Sequence, residues 1–137
     1  MKVVIDTNVL LMAIPKISKY RPIFDGLLKA KYNLAISEDI LQEYIEIIGR
    51  KTTGDIAENL GELITQLENV EKTDVYFRWN LITADPDDNK FVDCAISASV
   101  QFLVTNDNHF KVLKDVKFPP VEVIDADDFL EELKNLK

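Results

Sequence analysis

One cysteine and one histidine stand in a chain of 137 residues. The lone Cys94 excludes an internal disulfide and any cysteine cluster for zinc, and the lone His109 excludes a two-histidine metal site. No apolar run approaches the roughly 20 residues of a membrane-spanning helix, so no membrane association is expected. Met1-Lys2 leads straight into a strand-like stretch that ends in an acid, which is not a signal peptide, and a cytoplasmic location is the expectation. Internal repeats, low-complexity tracts and linkers are missing too, and the length fits a single domain, 1–137, with room for a real core. Positive charge is short: 16 Lys and Arg face 24 Asp and Glu, a net charge of -8. Such a surface repels nucleic acid at long range, and it stays acidic even with two divalent ions bound. A polyanionic substrate must therefore be held by local basic groups, by metal or by a partner.

The acids themselves are the informative residues. Asp6 closes the first hydrophobic run, Val3-Val4-Ile5-Asp6-Thr7-Asn8. Glu43 lies inside a helical pattern. Asp88 and Asp93 lie in Asp85-Pro86-Asp87-Asp88-Asn89-Lys90-Phe91-Val92-Asp93, and Asp107 ends Phe102-Leu103-Val104-Thr105-Asn106-Asp107. Each sits inside or at the edge of an apolar segment, where an ionised carboxylate is costly unless something positive pairs with it.

The pattern around these acids alternates strands and helices. Val3-Val4-Ile5 reads as a strand buried on both faces. Thr7 to Ala13 reads as a short helix ended before Pro15, and Arg21 to Ala30 as a second helix with Pro22 at its start. Tyr32 to Ile36 is the second expected strand. Ser37 caps a helix carrying Ile40, Leu41, Tyr44, Ile45, Ile47 and Ile48. Gly54 to Val70 is a weaker amphipathic helix, Lys72 to Phe77 a third strand, and Asp87 to Val100 a helix rich in small residues. Phe102 to Val104 and, after Pro119-Pro120, Val121 to Ile124 complete the strands, and Asp125 begins a terminal helix. This order predicts a three-layer α/β/α sandwich around a mainly parallel five-stranded sheet.

In such sheets ligands bind at the carboxyl ends of the strands, near a change in strand order. Asp6 and Asp107 both follow strand ends, and Asp88 opens a helix beside the same edge. Glu43 shares a helix face with Ile40 and Ile47, and Asp93 shares one with Asn89 and Ile96. Taken singly, Asp87, Asp88 and Asp107 are ordinary helix caps and Glu43 an ordinary solvated residue. Four segments that each bring an acid to one sheet edge are a poor fit to capping alone. Clustered carboxylates without histidine or cysteine suit Mg2+ or Mn2+ better than zinc. Such ions lower the pKa of water and clamp the oxygens of a displacement at phosphorus, so phosphodiester hydrolysis is the natural reaction class. Thr7, Asn8, Thr105 and Asn106 stand beside the acids, where they can orient a carboxylate or serve only as turn and cap residues.

Together, Val3–Asn8, Glu43 in Ser37–Glu43, Asp85–Asn89 leading to Asp93, and Val104–Asp107 resemble the PIN-domain nucleases, in particular the VapC-like toxin components of toxin–antitoxin pairs. The similarity runs from about Met1 to Ile124 with the motifs in the family's order. It implies a Mg2+- or Mn2+-dependent ribonuclease that cuts RNA by metal-activated water, often dimeric, and blocked by a small antitoxin protein. Asp6, Glu43 and Asp107 match family acids directly. Asp88 and Asp93 are both candidates for the remaining acid, with Asn89 beside them. On this reading Asp6, Asp88, Asp93 and Asp107 hold the metal.

A nuclease this acidic needs a basic lip. Lys16, Lys19 and Arg21, with Tyr20 available to stack on a base, are the expected one, and Lys90 stands near the acids. His109 reads as a loop residue, Cys94 as core, and Arg78 and Trp79 receive no role. A haloacid-dehalogenase-type phosphatase would want an acid where Asn8 stands, and a phospho-receiver an acid pair at the first strand and a lysine where Asp125 stands. A PIN-like fold kept only for binding RNA or protein, or a housekeeping RNA-processing nuclease, are the remaining alternatives.

Overall fold

A computed structural model describes residues 1–136. It contains β1 (Lys2–Ile5), α1 (Thr7–Ala13), α2 (Arg21–Leu28), β2 (Asn33–Ile36), α3 (Glu38–Lys51), α4 (Gly54–Gln66), β3 (Val70–Lys72), α5 (Asn89–Ala98), β4 (Phe102–Val104), β5 (Val123–Ile124) and α6 (Ala126–Lys134), with 3-10 turns at Pro86–Asp88 and Asn108–Asp115. The five strands form one sheet in the order β3-β2-β1-β4-β5, and every pair is parallel. The expected α/β/α sandwich is thus observed.

Strand order decides where the site lies. From β1 the chain steps outward to β2 and β3, then crosses back through α5 to β4 on the other side of β1. Right-handed crossovers in opposite directions place their helices on opposite faces. The direction changes between β1 and β4, which opens a crevice at their carboxyl ends. Val3 pairs with Phe102 and Ile5 with Val104, so Asp6 and Thr105 emerge side by side. The core beneath is dry: Val3, Val4, Ile5, Leu34, Leu103 and Val104 are fully buried.

Local chemistry explains the helices that flank the crevice. Ser37 accepts the Ile40 N–H at the start of α3, Glu38 and Asp39 occupy its first turn, and Arg50 and Lys51 its last. Each complements the helix dipole. Within α3 the wholly buried Tyr44 donates its hydroxyl to the Ile5 carbonyl, tying the helix to the end of β1. Tyr44→Phe strands that carbonyl in a dry core. The expected cost is about 1–2 kcal/mol, read as a lowered urea midpoint with an unchanged slope.

Several element ends differ from the sequence expectation, each for a visible reason. The helix expected over Asp87–Val100 begins as a 3-10 turn and stops at Ala98, because Ser99 turns left-handed (φ 53°) and sends its N–H and that of Val100 back to Ile96 and Ala95. The second helix stops at Leu28 rather than Ala30, where Ala30 takes φ 55°. The fourth helix stops at Gln66, and Asn69 pins the following turn by donating to the Leu27 and Tyr32 carbonyls. The third strand is Val70–Lys72, not Lys72–Phe77. β3 is an edge strand, and beyond Thr73 the backbone is held by side chains instead of by a neighbouring strand: Trp79 N–H by Asp93, and Ile82 by Asn89. The second and last strands are shorter than expected, at Asn33–Ile36 and Val123–Ile124.

Candidate functional site

At the crevice Asp6 leaves β1 with extended backbone. Its N–H is held by the Val104 carbonyl, and its own carbonyl accepts from Val9 and Leu10 to start α1. The side chain is therefore fixed by two elements at once. It is only 6% exposed, and Thr105 Oγ1 donates to its Oδ2 at 2.7 Å. The same Thr105 hydroxyl accepts the Asp107 N–H at 3.0 Å, so one threonine positions both acids. Burial raises the pKa of Asp6, the Thr105 hydrogen bond opposes that, and the charges of Glu43 and Asp107 raise it further. No lysine or arginine forms an ion pair with Asp6, Asp88 or Asp107 among the described residues.

Glu43 is held differently. Thr7 donates its hydroxyl to Oε2, and Lys90 Nζ lies 2.8 Å from Oε1. Both side chains of this ion pair are largely buried, about one-fifth exposed. Burial lowers the Lys90 pKa, but the hydrogen bond and charge of Glu43, with Asp87 and Asp39 nearby, outweigh it and the net shift is upward. Lys90 is thus a resident cation on the Glu43 side of the cluster.

The two candidates for the remaining acid separate. Asp88 feels the charges of Asp107, Asp85 and Asp6, and burial is the main cause that pushes its carboxyl up to about 6. Asp93, 4% exposed, turns its Oδ1 to the Trp79 N–H at 3.0 Å. Burial raises its pKa against that bond and the charge of Arg78. Its surroundings are the 78–79 segment rather than Asp6 and Asp107.

The polar neighbours also divide. Thr7 and Thr105 touch the acids. Asn89 clamps Ile82 through both its amide atoms, and Asn106 Oδ1 accepts the Ala126 N–H at the start of α6. Asn8 is exposed. Of the expected capping residues, Asp107 accepts the His109 N–H and Asp85, not Asp87, opens the first 3-10 turn by accepting the Asp87 N–H. Cys94 is buried, and burial pushes its thiol up to about 12.

Of the expected basic lip, Lys19 is bridged to Asp127 at 2.7 Å, and Arg21 is bridged to Asp25 and donates to the Ile14 carbonyl. Lys16 is exposed. A groove of about 790 Å³ instead runs past Glu43 and Lys90, lined also by Arg50, Arg78, Asn80 and Asp93. Arg50 is paired with Glu46, whereas Arg78 has no ion-pair partner among the described residues. Phe77 and Trp79 flank Arg78, with ring centroids 4.5 Å apart. Sequence reasoning gave Arg78 and Trp79 nothing; the free cation between two aromatics was the available signal. His109, a loop residue by sequence, also stands against the acids. Its Nδ1 lies 3.3 Å from Asp88 Oδ2 and 3.5 Å from Asp107 Oδ1.

The raised carboxyls set a pH dependence for the metal-free protein. Asp88 binds its proton at about 6 when folded and near its ordinary 3.8 when unfolded. Between those values the folded chain holds the extra proton, so its stability contribution is full below 3.8 and is lost as pH rises through 6. Asp6 and Asp93 shift in the same direction. In excess chelator, lowering the pH from 7.5 to 5 is expected to raise the urea-derived stability by on the order of 2 kcal/mol. A steady fall over that range would contradict the arrangement.

An all-parallel sandwich with carboxylates gathered at its switch point defines a class: a doubly wound α/β domain with an acidic edge site. The chain belongs to the PIN domain family, whose profile matches residues 2–109. Two crystal structures share the fold. One is VapBC2 from Rickettsia felis bound to a DNA fragment from their promoter, at 20% identity and TM-score 0.61, covering 91% of this chain and 98% of that one. The other is DNA-bound VapBC from Salmonella typhimurium, at 17% identity and TM-score 0.56, covering 92% and 98%. No curated protein matches the chain.

Proposed function

We propose that the protein is a Mg2+- or Mn2+-dependent endoribonuclease and the toxin half of a toxin–antitoxin pair. The observation that carries this reading is Asp6: a buried carboxylate with no basic partner, facing Glu43 and Asp107, at the switch point of a PIN domain. Its donor set fits a hard divalent ion, which would compensate the clustered negative charge that the protein itself leaves uncompensated. Asp6, Asp88 and Asp107 would hold the ion, with Asp93 the further candidate. When bound, the ion supplies a Lewis acid that lowers the pKa of water and shields the phosphate's charge. Thr105 keeps Asp6 and Asp107 in register. Thr7 and Lys90 fix both oxygens of Glu43 beside them, ready to orient water at the scissile phosphate. Arg78 and Lys16 are cations free to meet the RNA backbone, and Phe77 and Trp79 offer faces for bases.

The resemblance to VapC-like toxins and the shared fold with two VapBC structures support the toxin assignment and an antitoxin partner. The homodimer is proposed from the family resemblance alone. The net charge of -8 suits a basic partner. Among the described residues no helix is long and apolar enough to cross a membrane, and cytoplasmic RNA is the proposed target. Two assays test the reading. Purified protein should cut RNA with added Mg2+ or Mn2+ and stop in chelator. Its expression should arrest growth, with relief by a short protein encoded next to it. Cleavage without growth arrest would make it a housekeeping nuclease, and neither would leave a binding module.

A further inference from the structure

We propose that His109 is a nitrogen ligand of the ion at this site, and that it makes the site select Mn2+ or a later first-row divalent ion over Mg2+. The inference rests on the metal-dependent reading above and gives it a metal preference. Among the described residues, Asp85, Asp88 and His109 form the one set of three ligating side chains whose donor atoms all lie within 4.8 Å of one another. Asp6 and Asp107 act electrostatically on Asp88, and Glu43 on Asp6, without closing so tightly.

Two short turns bring the three together. The 3-10 turn Pro86–Asp88 is opened by Asp85 and ends on Asp88. The turn Asn108–Asp115 is opened by Asp107, whose Oδ1 accepts the His109 N–H, and the His109 ring lies back against Asp88 and Asp107. Phe91 and Phe110, both buried, pack against each other beneath (ring centroids 6.5 Å) and fix the spacing of the two turns. The imidazole is 44% exposed and its Nδ1 lies 3.3 Å from Asp88 Oδ2; with the ring proton on Nε2, Nδ1 would offer its lone pair to a cation held there.

The donor set then reads as carboxylate oxygens plus one imidazole nitrogen. Mg2+ takes oxygen ligands and keeps its waters, whereas affinity for a nitrogen donor rises along the first-row transition ions, with Mn2+ at the start of that series. A lone histidine between two acids thus tilts an oxygen site from Mg2+ toward Mn2+. A plain Asp–His surface ion pair would leave no such preference.

The test is pulsed electron paramagnetic resonance on the full chain, purified without a histidine tag and loaded with one equivalent of Mn2+, beside calorimetric titrations with Mn2+ and with Mg2+. The expected spectrum carries a 14N modulation that disappears in His109→Leu. Mn2+ affinity should fall at least roughly tenfold in that variant while Mg2+ affinity holds within about twofold. His109→Gln should behave alike, which guards against an effect of the leucine. Bound Mn2+ without 14N coupling, or coupling that survives both substitutions, overturns the role of His109 and leaves the metal site standing. Failure of wild-type protein to bind Mn2+ at all overturns this inference together with the metal-dependent reading beneath it.

Discussion

Asp6→Asn is expected to lower RNA cleavage by at least about a thousandfold while the protein stays folded. The substitution keeps shape and removes charge. Thr105 can still donate to the amide oxygen, and the backbone bonds that fix residue 6 to Val104, Val9 and Leu10 do not involve the side chain. What disappears is the buried negative charge that faces Glu43 and Asp107. Because burial raises the Asp6 pKa, the ionised form costs stability at neutral pH, and a neutral isostere removes that cost. The metal-free variant should therefore melt at the same temperature as wild type or higher. Wild type should gain melting temperature on adding Mn2+ through linkage, and the variant should gain much less. Loss of activity with a lowered metal-free melting temperature would instead mean that Asp6 is structural.

Phe91→Ala should cost about 3–5 kcal/mol, among the largest losses open to a single side chain here. Phe91 is 1% exposed and packs edge-on against the buried Phe110. It sits three residues after Asp88, and Phe110 sits three after Asp107. One aromatic contact thus braces both acid-bearing turns. Truncation leaves a cavity beneath them, and the loss appears as a lower urea midpoint. Phe91→Leu should recover more than half of the loss by refilling the volume. Phe91→Ala is also expected to weaken Mn2+ binding below its own melting transition, and Phe91→Leu to restore it.

These residues show which parts were readable in advance. In β1 and in β4 the apolar run and the acid that follows it lie within three residues of each other, so local pattern was enough to place Asp6 and Asp107 at the carboxyl edge of the sheet. Ser37 and the amphipathic α3 placed Glu43 nearby. Two kinds of feature were not local. The segment after β3 alternates Val75, Phe77 and Trp79 like a strand, but no strand among the described residues pairs with it, and Asp93 and Asn89 take up its backbone groups instead. The pairing of Lys90 with Glu43, and of His109 with Asp88, joins positions 47 and 21 residues apart. It depends on how α3, α5 and the two 3-10 turns pack. Spacing could nominate both Asp88 and Asp93; only the packing separates a carboxyl that feels Asp6 and Asp107 from one that holds the Trp79 backbone.

The central claim is that these acids bring water to an RNA phosphate. That claim has a direct chemical signature in the ends of the cut strand. Attack by water leaves the 2′-hydroxyl out of the reaction, whereas metal-free ribonucleases commonly use that hydroxyl and leave a 2′,3′-cyclic phosphate. The decisive measurement is the end chemistry of a labelled RNA incubated with the purified protein and Mn2+, alongside the same RNA carrying a single 2′-deoxy substitution at the cut site. The account predicts cleavage of both, abolished by chelator, with no cyclic phosphate. Cyclic ends, resistance of the deoxy substrate, or cutting that persists in chelator would contradict it.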